Sequence, residues 1–337
     1  MKVTINEVAE QAGVSIKTVS RVLNNEAPVR PETRAKVSQA IADLGYVANV
    51  SAQRLARGRA YTIGLIYHNA SWHYITHVLQ GVLETGYRAG YSTLLYSYDA
   101  KHKDRSRQQI LGLASQGSVD GFIFIPPSDN STALLNDLQS AGVAFVRLTP
   151  SNRQLSLPFV TATDWQGAYD MGLYLLGQGH RRIGFIKGPP EQKAAYDRFE
   201  GFKAALAEYN VALDKTLVQQ GDDHFASGQR CAQAFLKLST PPTSIFANND
   251  EMAAGANAAV FESGLRVPDD VSIAGFDDIP LSAAIWPPLT TVRQPIYKIA
   301  EVATNLLIKL LRDEEPDRLH YELLTELVIR KSVRSIG

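Results

Sequence analysis

Lys17 and Arg21 lie four residues apart in the stretch VSIKTVSRVLN, one turn apart if that stretch is helical. Both side chains donate hydrogen bonds and accept none, the chemistry that reads the O6 and N7 edge of guanine. Ile16 beside them offers an aliphatic contact to a thymine methyl, and Ser20 lies off the apolar face with them. Thr4, Ser15, Thr18 and Thr33 carry hydroxyls suited to phosphate. A second set is spread through the rest of the chain: Trp72, Tyr74, Arg147, Arg198, Asn249 and Asp277. Aromatic faces, guanidinium, amide and carboxylate together suit a polyhydroxylated ligand. The polar groups grip adjacent hydroxyls and a ring packs on the C–H face of a sugar. Taken singly, each has a structural reading. Asn249 or Asp250 caps a helix, with Asp250 the main cap; Asp277 is a turn residue; Arg198 is a solvated helix charge; Arg147 pairs with a nearby carboxylate.

The first set needs a helix to present it. Thr4-Ile5-Asn6-Glu7 is a capping box, and Ile5, Val8, Ala9 and Ala12 share a face behind it. Gly13 breaks that helix and Ser15 caps the next, so two helices meet across a very short turn. That is a helix-turn-helix arrangement. Val19, Val22 and Leu23 form the inner side of the second helix. A third runs from Pro31 to Leu44, stopped by Gly45, and adds Val37, Ala40, Ile41 and Leu44 to a small core. In such an arrangement the N-terminal end of the second helix reaches base edges in the major groove. A small helical bundle with a solvated basic face is the other reading of the same pattern.

Charge supports the first reading. The 337 residues hold 34 Lys/Arg and 34 Asp/Glu, which excludes a globally basic coat protein or a polyanionic tail. Residues 1–60 nevertheless contain nine Lys/Arg against five Asp/Glu, a basic head on a mildly acidic remainder. With 45% hydrophobic and 20% charged residues the chain is built to pack a core. The single cysteine, Cys231, excludes an intramolecular disulfide. The absence of a long apolar run or an apolar leader predicts no membrane span and a cytoplasmic location.

The second set needs strand ends. Apolar runs at 61–67, 91–97, 119–125, 143–149, 181–188, 243–249 and 271–278 alternate with helical stretches, and the pattern restarts near residue 160. Buried strands alternating with helices mean parallel sheets covered on both faces, here two α/β lobes with a cleft. Ligands in such folds sit beyond the carboxyl ends of strands, where the second set falls. Catalysis finds little support. No nucleophile elbow, phosphate-binding loop, H-E-x-x-H or G-x-G-x-x-G is present, and the seven histidines show no metal spacing with Cys231. No catalytic residue, metal or cofactor is therefore expected; a sugar-processing enzyme with a DNA-binding appendage is the weak alternative.

The head stretch VAEQAGVSIKTVSRVLN with TRAKV, LGYVAN and AQRLA resembles the LacI/GalR (lac-repressor) family of bacterial transcription regulators. GHRRIGFIKGP, DRFEGFKAAL, ANNDEMAAGANAA, GLRVPDDVSIAGFDD and PPLTTVRQP extend the resemblance over nearly the whole chain. It implies an N-terminal all-α helix-turn-helix head (1–46), a hinge (47–60) and an α/β periplasmic-binding-protein-like body of two parallel-sheet lobes (61–337). The N-lobe would span about 61–161 and 295–323, and the C-lobe about 162–294 and 324–332, joined by three crossovers. It makes Ile16, Lys17 and Arg21 the base readers. Asn49, Ala52 and Leu55 become hinge contacts to DNA, with Leu55 wedged into the minor groove. Arg198, Asn249 and Asp277 become effector ligands. Three positions depart from the family's pattern: Thr149 after the fourth strand where many members carry an aspartate, Asp223 where an aromatic often follows Gly-Asp, and HNASWHY after the first strand. The implied function is a homodimeric repressor on double-stranded, near-palindromic operator DNA, released by a sugar-type small molecule. A purine-like or other co-repressor is the alternative. A family heptad repeat that builds tetramers is not seen, hence the expected dimer.

Overall fold

The computed structural model describes residues 3–23, 29–46, 59–68, 72–126, 131–153 and 157–337. Two compact units divide the chain, Met1–Ala60 and Tyr61–Gly337. In the first, α1 (Ile5–Ala12), α2 (Ile16–Leu23) and α3 (Pro31–Leu44) follow the sequence signals closely. The Glu7 carboxylate accepts from the Thr4 N–H at 2.6 Å and from the Thr4 hydroxyl at 2.9 Å, which opens α1. Gly13 (φ 65°) and Gly45 (φ 59°) close α1 and α3 in the left-handed conformation that costs glycine least. Ser15 Oγ accepts the Thr18 N–H at 3.2 Å and starts α2. Val8, Ala9, Val19, Val22, Val37 and Ala40 bury together between the three helices.

The second unit begins with β1 (Thr62–Tyr67), α4 (Trp72–Arg88), β2 (Ser92–Ser97), α5 (Lys103–Ser115), β3 (Gly121–Phe124), α6 (Thr132–Ser140), β4 (Ala144–Leu148) and β5 (Phe159–Ala162). It continues with α7 (Asp164–Gly177), β6 (Ile183–Lys187), α8 (Lys193–Glu208), β7 (Val218–Gln220), α9 (Phe225–Leu236), β8 (Ser244–Ala247), α10 (Asp250–Glu262) and β9 (Ser272–Ala274). It ends with α11 (Pro280–Ala284), β10 (Thr291–Arg293), α12 (Ile296–Leu311), β11 (His320–Leu323) and β12 (Glu326–Val328). One sheet has the order β11-β5-β4-β3-β1-β2 and the other β7-β6-β8-β9, and every pairing within them is parallel. The first is covered by α4 and α12 on one face and by α5 and α6 on the other. The second is covered by α7 and α8, and by α9 and α10. The fold is thus an all-α helix-turn-helix head and an α/β body of two parallel-sheet lobes.

The chain passes between the lobes three times. β5 leads to α7 through Thr163, β10 to α12 through Gln294 and Pro295, and β11 to β12 through Leu324 and Thr325. Two passages are tied together: Thr325 N–H donates to Thr163 Oγ1 at 2.9 Å, and the two hydroxyls meet at 3.0 Å. The run HYELLTELVIR is therefore two strands. β11 extends the first sheet beside β5, whereas β12 pairs antiparallel with β10. The break falls where the chain changes lobe.

Candidate functional sites

On α2 the buried side is Val19 and Val22. Ile16 is 50% exposed, Lys17 is exposed, and Thr18, Ser20 and Arg21 are half-buried. The first turn of α2 thus presents an aliphatic side chain and a lysine to solvent at a helix end that also carries N–H groups. The Ser15 and Thr18 hydroxyls meet at 3.0 Å and keep lone pairs and rotor freedom for another partner. The exposed Thr4 hydroxyl donates to Glu7, so a phosphate would have to take that proton from the capping box. Thr33 is half-buried in the first turn of α3. The hinge candidates Asn49, Ala52 and Leu55 lie outside the described residues.

In the body, a cavity of about 70 Å³ opens between the lobes, lined by Tyr74, Pro126, Thr149, Gln192, Ala194, Arg198, Asp223, Asn249, Asp277 and Gln294. Strand ends set most of these positions. Pro126 and Thr149 follow β3 and β4, Asp223 follows β7, Asn249 follows β8, Asp277 follows β9 and Gln294 follows β10. Arg198 projects from the second turn of α8 and organises the floor. Its Nε donates to Asp164 Oδ1 at 3.0 Å and its Nη1 to the Asn248 carbonyl at 2.5 Å. Its Nη2 lies 3.2 Å from Asp277 Oδ1, and the guanidinium covers the Phe276 ring at 3.9 Å. Gln294 Nε2 donates to the same Asp277 oxygen at 2.7 Å. Asn249 caps α10, its Oδ1 accepting from Met252 N–H and its Nδ2 donating to the Asp223 carbonyl, both at 2.9 Å. Asp223 Oδ1 accepts from Asn248 Nδ2 at 2.9 Å.

Backbone and charge both show strain here. Thr149 (φ 39°), Asp223 (φ 69°), Asp277 (φ 110°) and its neighbour Asp278 (φ 56°) all sit where glycine is favoured. Such conformations persist when the surroundings fix them, and they gather at binding sites. Burial pushes the Asp277 carboxyl up to about 7 although Arg198 and Gln294 pull it down. Burial likewise raises Asp223 against the pull of Arg198. These are groups held ready at a cost in stability.

Known proteins match this architecture. The description "Bacterial regulatory proteins, lacI family" fits residues 4–49, and a periplasmic binding protein-like domain fits residues 173–333. The HTH-type transcriptional repressor PurR of Histophilus somni (strain 129Pt) is 33% identical over 335 residues, 99% of this chain and 99% of the relative. The chain belongs to the lacI family. The HTH-type transcriptional repressor CytR of Escherichia coli (strain K12) is 32% identical over 336 residues, 99% of this chain and 97% of the relative. Among solved structures, the lac repressor dimer bound to operator and the anti-inducer ONPF aligns with a TM-score of 0.86 at 28% identity, covering 99% of this chain and 100% of that one. A transcriptional regulator CelR–cellobiose complex aligns with a TM-score of 0.74 at 28% identity, covering 98% of this chain and 100% of that one. As a member of the lacI family the chain is a DNA-binding transcription regulator.

This lacI-family body brings Tyr74, Arg198, Asn249 and Asp277 to one cavity, and it places two other candidates elsewhere. Trp72 is 62% exposed at the start of α4 and does not line the cavity. It lies two residues before Tyr74, so the helical turn points the two rings differently. Arg147 is fully buried, and its Nη groups donate to the carbonyls of Asn152 (3.0 Å) and Leu157 (3.1 Å). It ties β4 to the chain ahead of β5 and lies 5.9 Å from the centre of the Phe159 ring, outside the cavity lining. Asp250 is also corrected. Asn249 is the side-chain cap of α10, whereas Asp250 reaches the Ile279 N–H (2.9 Å) and the Thr291 hydroxyl (2.5 Å), bracing the turn after β9. Gln192 and Gln294 line the cavity and were missed in the sequence. Gln294 follows β10, whose three residues carry no apolar run, so the strand-end rule had nothing to act on. Gln192 opens α8 ahead of Arg198 and is set by the helix rather than a strand.

Proposed function

We propose that this regulator is a cytoplasmic homodimeric repressor that grips a near-palindromic operator and releases it when a sugar-type effector binds between the lobes. The observation that carries the effector class is the make-up of the cavity: among the described lining residues, one guanidinium, two carboxylates and three amides converge on it, and a single aromatic ring, Tyr74, borders it. Adjacent hydroxyls of a polyol match bidentate groups at this density. A planar base would call for ring faces on its flat sides, and among the described lining residues only Tyr74 supplies one. The head contributes the exposed Ile16 and Lys17, with Arg21 one turn on. Two heads related by a two-fold axis suit a palindrome. Effector and operator then act on one equilibrium, and the effector weakens DNA binding only by its preference for the lobe arrangement the operator disfavours. The repressor works by binding, and turnover has no part in the scheme.

The test pairs operator selection with an effector screen. The full chain selects its site from random duplexes. Anisotropy titrations then measure that site with sugars, sugar acids, nucleosides and nucleobases added singly. A sugar that weakens binding about 5- to 150-fold, with Arg21→Ala losing preference at one operator position, supports the scheme. A response confined to nucleobases would instead give the purine-like co-repressor reading.

A further inference from the structure

The cavity is short of positive charge. Arg198 is the only cationic lining residue among the described residues, and that charge is shared by Asp164 behind the floor and by Asp277 within it. Asp223 also lines the cavity, and no described cation lies within 4.0 Å of its carboxylate, which is met by the neutral Asn248 and Gln192 amides. The Asp277 contacts to Arg198 and Gln294 both fall on Oδ1, which leaves Oδ2 without a described donor. A third acceptor adds to these. Gln294 is 5% exposed, and its Oε1 has no hydrogen-bond partner among the described residues. The amide is not reversible, because a carboxylate on the Nε2 side demands a donor. A buried acceptor left open costs free energy until a donor meets it.

We propose, resting on the sugar-type reading above, that the effector is an amino sugar whose protonated amine is received by Asp223, Asp277 and Gln294 Oε1. An ammonium brings three donors, no acceptor and one positive charge. A neutral sugar could bond the same acceptors with hydroxyls, yet it would leave the two buried cavity carboxylates facing one guanidinium, itself shared with Asp164, which Arg153 also approaches at 4.0 Å. The upward shift that burial imposes on Asp223 and Asp277 agrees with a site waiting for a cation.

Calorimetric titration of the full chain with matched ligands decides the matter. Glucosamine, galactosamine and mannosamine are each compared with the parent hexose and the N-acetyl derivative. At least one amine should bind about tenfold or more tightly than its parent and its N-acetyl form, the scale of a buried charge pair. In Asp223→Asn that ratio should fall toward one, with thermal unfolding checked in parallel. The comparison among ligands on the unaltered chain stands even where the variant folds poorly. If neutral hexoses bind as well as or better than the amines, the amine assignment is overturned and the sugar-type reading survives. If no hexose binds in any form, both fall.

Discussion

At the scale of single residues, Asp277 concentrates the cost of the binding site. Its carboxyl is raised by burial from an ordinary value near 4 to about 7. Between those values the unfolded chain has released the proton and the folded chain retains it. Stability must therefore fall as pH rises through that window and level off above it. Asp223 and Asp250, also raised by burial, add in the same direction. Asp277→Asn removes one of these terms, so denaturant unfolding at pH 5 and pH 8 should show a smaller loss in the variant, by up to about a few kcal/mol. An unchanged pH dependence would mean that Asp277 ionises freely in the folded state. The residue was legible in the sequence because the strand run 271–278 delivers it to a carboxyl end. Its partner Gln294 was not, since a three-residue strand carries no pattern. Arg147 was misjudged for a related reason: alternation along a strand tells which residues are buried, but not that a buried guanidinium will spend itself on carbonyls of its own loop.

At the scale of elements, the contact between α7 and α8 sets the floor of the cavity. Asp164 opens α7 and Arg198 lies early in α8, and the 3.0 Å bond between them depends on how closely the helices approach. Gly201, one turn beyond Arg198, makes that approach possible: a Cβ there would stand 2.1 Å from the Trp165 carbonyl oxygen. Backbone cannot yield as a flexible side chain does. Gly201→Ala should therefore part the helices, destabilise the body by about 1–3 kcal/mol and weaken the effector response. Operator binding without effector should persist in the folded protein. Thermal unfolding and effector titration of the same preparation check both halves; a variant of full stability and full response would show that the helices are free to part. The helix pair was foreseeable as two helical stretches, and the three head helices were legible almost to the residue because caps, glycines and Pro31 mark their ends. The crossovers were implied by the family resemblance and not by periodicity, because β5, β10 and β12 are too short to carry a pattern and Thr163 and Thr325 become a pair only in three dimensions.

At the scale of the whole molecule, two kinds of electrostatics are kept apart in the sequence. Residues 1–60 carry the net positive charge, exposed to solvent at Lys17, whereas the body holds the charged groups that line its cavity buried. Counterions respond to the first and hardly to the second. Operator affinity should fall steeply with salt; for about six to ten neutralised phosphates the loss is roughly 10³- to 10⁵-fold between 50 and 200 mM. Effector affinity, set by buried partners that salt screens weakly, should move far less over the same range. The ratio of operator affinities without and with saturating effector is then nearly independent of salt, because both lines fall with one slope. By linkage the same ratio must reappear as the loss of effector affinity when operator is bound. Measuring it both ways at two salt concentrations tests whether the sites communicate through the lobe equilibrium. A ratio that collapses as salt rises would instead place the small molecule at the DNA-facing surface, competing there for charge.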